Sequence, residues 1–144
     1  MKFKSRKDLF MNTFMFVICG LLGLILLIRI INIGYSNLNF IFLDLFILAS
    51  IGFFLWIYFG TAYQLTKTEL KYRSGPISGE IKIEQINEII KGETLWSGLK
   101  PATAKNGLII KYQEYEEIYI SPKTNESFIN KILEMNKNII ITIK

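Results

Sequence analysis

Two long apolar runs open the chain, and an alternating pattern of apolar and polar residues fills the rest. The first run, "FMNTFMFVICGLLGLILLIRIINI", covers residues 10–33; the second, "FIFLDLFILASIGFFLWIYFG", covers 40–60. Each reaches the roughly 20 residues that cross a hydrocarbon core as a helix. The link "YSNLN" (35–39) is short and carries no Lys or Arg, so the two helices are expected to form a hairpin. The first run is too long for a cleaved leader, and no small-x-small site follows before Arg29.

From residue 61 the period changes to two. "AYQLT" (62–66) and "ELKYRSG" (69–75) read as a strand pair, which Gly75 and Pro76 break. "GEIKI" (79–83) alternates, and "INEIIKG" (86–92) makes a fourth strand. The small-residue stretch "ETLWSGLKPATAKN" (93–106) reads as a loop. "GLIIKYQ" (107–113) and "EEIYIS" (116–121) form a second hairpin. In "SPKTNESFINKILEMN" the period becomes helical, with Ser121 as the expected cap and Pro122 in the first turn. Phe128, Ile129, Ile132, Leu133 and Met135 then make one apolar stripe. The tail "IIITI" (139–143) suits a last strand or an interfacial segment. The expected fold is α+β: a two-span transmembrane helical hairpin over residues 1–60, then, over 61–144, a small curved antiparallel sheet capped by a C-terminal helix.

Charge orients this plan. Of the formal +5, the extreme N-terminus supplies Lys2, Lys4, Arg6 and Lys7, opposed by Asp8. Lys67, Lys71 and Arg73 follow the second span, while the link between the spans is uncharged. The positive-inside rule then puts both termini in the cytoplasm of a two-span cell-membrane protein. The basic start also suits anionic headgroups. The region 61–144 is only mildly basic, too little for a nucleic-acid footprint. Trp56 and Tyr58 at the inner end and Tyr35 at the outer sit where interfacial aromatics belong.

Two charges interrupt the apolar runs. Arg29 and Asp44 lie almost equally far from the middle of the link, hence at similar depth. Either they pair and set the hairpin register, or each side chain reaches separately for the outer headgroups. Catalytic chemistry has little to work with. The chain has no histidine and one cysteine, Cys19, inside the first run. It shows no Gly-rich phosphate loop, no activated nucleophile and no carboxylate set with metal spacing. A non-enzymatic protein without cofactor or metal is expected.

The strand ending in "RSGP", the "I-x-I-x-x-I" pattern of "IKIEQI", the loop with Ser97 and Pro101, and "ISPK" running into a helix with "FI" carry a resemblance. Over about residues 61–136 the chain resembles the bacterial pleckstrin-homology-like (PH-like) domain of the YyaB-like family. Two N-terminal spans are usual in such proteins, so the resemblance implies an anchored PH-like module. Lys71 and Arg73 share one strand face, with Lys67 in the preceding turn. This is similar to the basic cluster with which eukaryotic PH domains hold phosphoinositides, although Glu69 shares the face and a merely solvated surface has the same pattern. Trp96 either dips into the membrane interface or caps the open end of the sheet. The leading expectation is a cytoplasmic-face adaptor that binds another membrane protein or itself. The alternatives are an anionic-lipid reader through Lys71 and Arg73, and self-protection against an antimicrobial peptide.

Overall fold

The computed structural model describes residues 1–34, 40–95 and 97–144. The link at 35–39 and Trp96 lie outside the described residues, and with them the expectations placed on Tyr35 and Trp96.

The two apolar runs form helices α1 (Leu9–Ile33) and α2 (Ile41–Gly60). Both are long and apolar enough to cross a membrane, and they pack side by side, as a membrane anchor requires. Asp8 caps α1, its side chain accepting from the Met11 N–H at 2.8 Å. At the same end the Tyr58 hydroxyl donates to Asn12 across the helix pair. Lys7 stands over the Tyr58 ring, 3.9 Å from its centroid, and burial lowers its pKa from the usual lysine value.

The described residues contain eight strands: β1 (Lys2–Lys4), β2 (Ala62–Leu65), β3 (Glu69–Ser74), β4 (Ile77–Lys82), β5 (Ile86–Lys91), β6 (Leu108–Tyr112), β7 (Glu116–Ile120) and β8 (Ile140–Ile143). The helix α3 (Asn125–Met135) lies between β7 and β8. The strands form two four-stranded sheets, ordered β1-β2-β3-β4 and β7-β6-β5-β8. The fold is α+β, and the sheets do not close into a barrel.

Alternation explains the core. Tyr63 and Leu65 from β2, Leu70 from β3, Ile89 from β5, Ile110 from β6 and Ile118 from β7 point inward. Phe128 and Ile132 of α3 fill the space between the sheets. The predicted stripe on α3 holds: Phe128, Ile129 and Ile132 are buried, and Leu133 and Met135 pack at its margin.

Two elements differ from the sequence-based plan, and a third, the tail, follows one of its two expected readings. The N-terminus, assigned to the anchor, contains β1, which pairs antiparallel with β2 as Lys2↔Gln64, Phe3↔Tyr63 and Lys4↔Ala62. Phe3 turns inward and meets Phe128 edge-on, centroids 5.2 Å apart. The tail is a strand, β8, parallel to β5. The C-terminal helix starts at Asn125 with Thr124 as N-cap residue, four residues beyond the expected cap. Ser121 is unavailable as a cap because its hydroxyl and amide are engaged in the core.

The joint between anchor and sheets is short. Thr61 alone separates α2 from β2, and its hydroxyl lies 2.7 Å from the Ile57 carbonyl and 2.9 Å from the Ser74 hydroxyl. The β3–β4 turn presses on α2 at Gly75, whose φ is +57° and where a Cβ would come 2.6 Å from Ile57 Cγ1.

Candidate interaction surfaces

Edges come first, because a small open sheet must dispose of its unpaired backbone. The outer side of β1 is covered: Arg6 N–H donates to the Ser121 carbonyl at 2.7 Å and Lys123 N–H to the Lys4 carbonyl at 3.0 Å. The outer side of β7 is covered by Leu99, whose carbonyl accepts from Tyr119 N–H at 2.9 Å. The edges left are β4 and β8. The outward residues of β4 include Ser78, Glu80 and Lys82, a polar set. β8 is different in chemistry. Its even residues face β5, as the Lys144 N–H to Lys91 carbonyl bond of 3.0 Å shows. The backbone groups of Ile141 and Ile143 therefore point away from the sheet. Ile140 and Ile143 are 64% and 73% exposed. Thr142 holds the strand in place, its hydroxyl donating to Glu88 Oε1 at 2.6 Å. This bond, then Lys111, holds the Glu88 carboxyl below its usual pKa.

The outer face of the first sheet carries the basic residues singled out from the sequence. Cross-strand register makes one row of Lys4, Ala62, Arg73 and Ser78. A second row holds Lys2, Gln64, Lys71 and Glu80, and a third Glu69 and Lys82. Lys71 is clasped by Glu69 and Glu80, each 3.1 Å from its Nζ. Glu80, then Glu69, holds its ammonium above the usual lysine pKa. Arg73 and Lys4 have no carboxylate at ion-pair distance among the described residues. The row of Lys4 and Arg73 is also the one beside Thr61, at the anchor. Lys67 does not join this group. It lines a mixed-charge cleft with Glu69, Lys82 and Glu84, whereas Lys71 and Arg73 share a shallow groove with Lys2 and Gln64.

The 93–106 loop covers the back of the second sheet. Leu95 and Ala102 pack on Ile90, Ile109 and Tyr119, a small satellite core. The loop is pinned by buried hydroxyls. Tyr63 OH donates to the Pro101 carbonyl at 2.6 Å and accepts from Ser121 N–H at 3.0 Å. Thr103 Oγ1 lies 2.8 Å from Ser5 Oγ, which lies 2.9 Å from Ser121 Oγ. Burial holds the Tyr63 phenol above its usual pKa. Nothing in the sequence brings these four hydroxyls together; they come from the residue after β1, from β2, from the loop and from the residue after β7.

Within the anchor, Arg29 Nε donates to Asp44 Oδ1 at 3.0 Å, and its Nη1 donates to the Gly34 carbonyl at 2.8 Å. The guanidinium thus meets the carboxylate of α2 and a free carbonyl at the end of its own helix. Among the described residues no group of three His, Cys, Asp or Glu side chains could hold a metal.

Comparison with known proteins agrees with this architecture. A profile described as "Bacterial PH domain" matches residues 61–136. A Bacillus subtilis (strain 168) protein named "Uncharacterized protein YyaB" is 33% identical over 94 residues. The match covers 65% of this chain and 64% of that protein, so the chain spans a little under two thirds of its relative's length. No solved structure matches.

Proposed function

The chain belongs to the bacterial PH domain family, and we propose that it is a membrane-anchored, non-enzymatic adaptor whose β8 edge takes up a strand from a partner protein. The partner is another membrane protein or a second copy of the chain. The two spans hold the domain on the cytoplasmic face, with Lys2, Lys4, Arg6, Lys7, Lys67, Lys71 and Arg73 on the retained side.

The observation that carries this reading is the β8 edge itself. It combines outward backbone groups at Ile141 and Ile143 with exposed Ile140 and Ile143 side chains. Such an edge accepts a strand through its backbone and gains specificity from alternate side chains. Full burial of each isoleucine contributes about 1.5–3 kcal/mol, while a Kd near 1 mM requires only about 4 kcal/mol. Tethering supplies effective concentrations in the mM range, so a weak edge contact is occupied on the membrane and lost in dilute solution.

The test places a photocrosslinking residue at Ile140 in the full chain, in cells, with Ser78 on β4 as the comparison site. A discrete adduct at position 140 that Ile143→Pro removes is the expected result. The proline deletes an outward N–H and spares every bond to β5. An adduct indifferent to Ile143→Pro, or equally strong from Ser78, overturns the reading.

A second reading, a reader of anionic membrane surface, is favoured by one observation: Lys4 and Arg73 form an acid-free row beside the anchor. It rests on these two residues more than on Lys71, whose charge is offset by two glutamates. Loss of cellular function in Lys4→Glu/Arg73→Glu with the β8 adduct intact supports it over the adaptor.

A further inference from the structure

The loop and the anchor meet at one place. Asp8 Oδ1 accepts from Met11 N–H at 2.8 Å, and Asp8 Oδ2 accepts from Lys105 N–H at 2.8 Å. One carboxylate thus caps α1 and holds the loop. Beside it a cleft of about 160 Å³ stays open. Phe10, Met11, Leu95 and Ala102 form its apolar floor, and Lys100 and Lys105 stand on it as the cations. Neither lysine has a carboxylate at ion-pair distance among the described residues. Lys105 Nζ is 4.4 Å from the Phe10 ring centroid, over the floor. Both Asp8 oxygens are turned to backbone N–H groups, and with Lys100 and Lys105 against this one carboxylate the cleft keeps a net positive charge above an apolar base.

We propose that this cleft binds a single anionic phospholipid of the adjoining leaflet. Its acyl chain lies on Phe10, Met11, Leu95 and Ala102 and continues down α1, and its phosphate sits between Lys100 and Lys105. Three features argue for this occupant. The candidate span of α1 starts at Leu9, so with α1 across the membrane the cleft lies at the end of the span, near the headgroups. The first-turn residues Leu9 and Phe10 are 81% and 61% exposed, which leaves the floor continuous with the apolar surface of the helix. The lysines complement one phosphate, and the lining takes Tyr119 from β7 but no residue of the Lys4–Arg73 row or of β8, so the site is separate from both. The proposal rests on α1 spanning the membrane, not on the adaptor role.

The test uses the full chain in nanodiscs of phosphatidylcholine with phosphatidylglycerol carrying a photoreactive acyl chain at low mole fraction. Labelled residues are mapped by mass spectrometry as unlabelled phosphatidylglycerol is titrated. Label concentrated at 10–11 and 95–104, saturable and competed by phosphatidylglycerol, is the expected outcome. Near an anionic lipid each lysine contributes about fivefold in affinity, so Lys100→Gln/Lys105→Gln weakens competition about 25-fold. Lys71→Gln/Arg73→Gln leaves it unchanged. Label spread along both helices without saturation, or equal weakening by the two double variants, shows only diffuse surface attraction and overturns the site. Retention of the β8 adduct in Lys100→Gln/Lys105→Gln checks folding and keeps failure of the lipid site distinct from failure of the adaptor reading.

Discussion

Tyr63→Phe removes one oxygen and keeps the ring, so it isolates the hydroxyl cluster from the packing around it. In the folded chain that oxygen donates to the Pro101 carbonyl at 2.6 Å and accepts from Ser121 N–H at 3.0 Å. Tyr63, Pro101 and Ser121 are all fully buried, and water does not replace the lost partner. Each buried group left unpaired costs about 1–3 kcal/mol. The Ser5 hydroxyl, 3.1 Å from the Tyr63 oxygen, recovers part of one bond. The expected destabilisation is therefore about 2–4 kcal/mol. For a domain of this size 1 kcal/mol moves the melting temperature by about 4–8 °C, so a fall of at least about 8 °C is expected. Thermal unfolding of the full chain in detergent, followed at a strand-sensitive wavelength, measures it. Amide exchange at Ser121 and across 97–106 reports whether the loop loosens first. Ser5→Ala combined with Tyr63→Phe should be non-additive, because the two share partners. A shift under about 2 °C with Ser121 still protected refutes the argument that these hydroxyls pin the loop.

Other outcomes follow from the same geometry. Above the usual tyrosine pKa of about 10, the unfolded chain loses a proton that folded Tyr63 retains. The stability this group contributes is thus present below that pH and lost as pH rises, and Tyr63→Phe should flatten the alkaline limb of a pH–stability curve. Arg29→Leu leaves Asp44 alone in the membrane at about 2.5–3.5 kcal/mol, so steady-state levels should fall. Arg29→Leu/Asp44→Leu should restore them, and immunoblotting that shows no recovery argues against a working pair. Asp8→Ala removes the α1 cap and the hold on Lys105, a loss of about 1 kcal/mol or more, visible as faster amide exchange at both Met11 and Lys105. Gly75→Ala forces a left-handed turn onto a Cβ that meets Ile57; a melting temperature within about 2 °C of the parent contradicts that contact, since strain of this kind costs on the order of 1–3 kcal/mol.

Local patterns carried most of the fold. The helices α1 and α2 stand within a residue of the predicted 10–33 and 40–60, because a long, predominantly apolar run has one solution in lipid. The strands β2 to β7 follow the alternation for the same reason of period. β1 was illegible: "KFK" has one apolar residue, and its strand state depends on Gln64, Tyr63 and Ala62, far along the chain. The misplaced start of α3 has a related cause. "SPKTNE" offers two capping sites, and the competing demand on Ser121 comes from Tyr63 and Thr103, which are distant in sequence. The charge pattern did name Lys71 and Arg73, but whether a lysine is free depends on register. Glu80 sits opposite Lys71 and Ser78 opposite Arg73, a difference no spacing rule contains. The apolar β8 edge was visible as "IIITI"; its unpaired side was not, because strand order is a tertiary fact.

The pairing of β1 with β2 imposes an order on biogenesis. The amide of Leu65 bonds to the carbonyl of Met1 at 2.8 Å, and everything between, both helices included, becomes a closed loop once that ladder forms. During synthesis β1 emerges before both helices and has no partner until β2 has left the ribosome. With α1 and α2 both across the membrane, β1 can complete the first sheet only on the side where β2 stands. Without β1 in place, Phe128 loses its edge-on contact with Phe3. The finished ladder then acts as a latch: neither span can slide or invert without tearing strands apart.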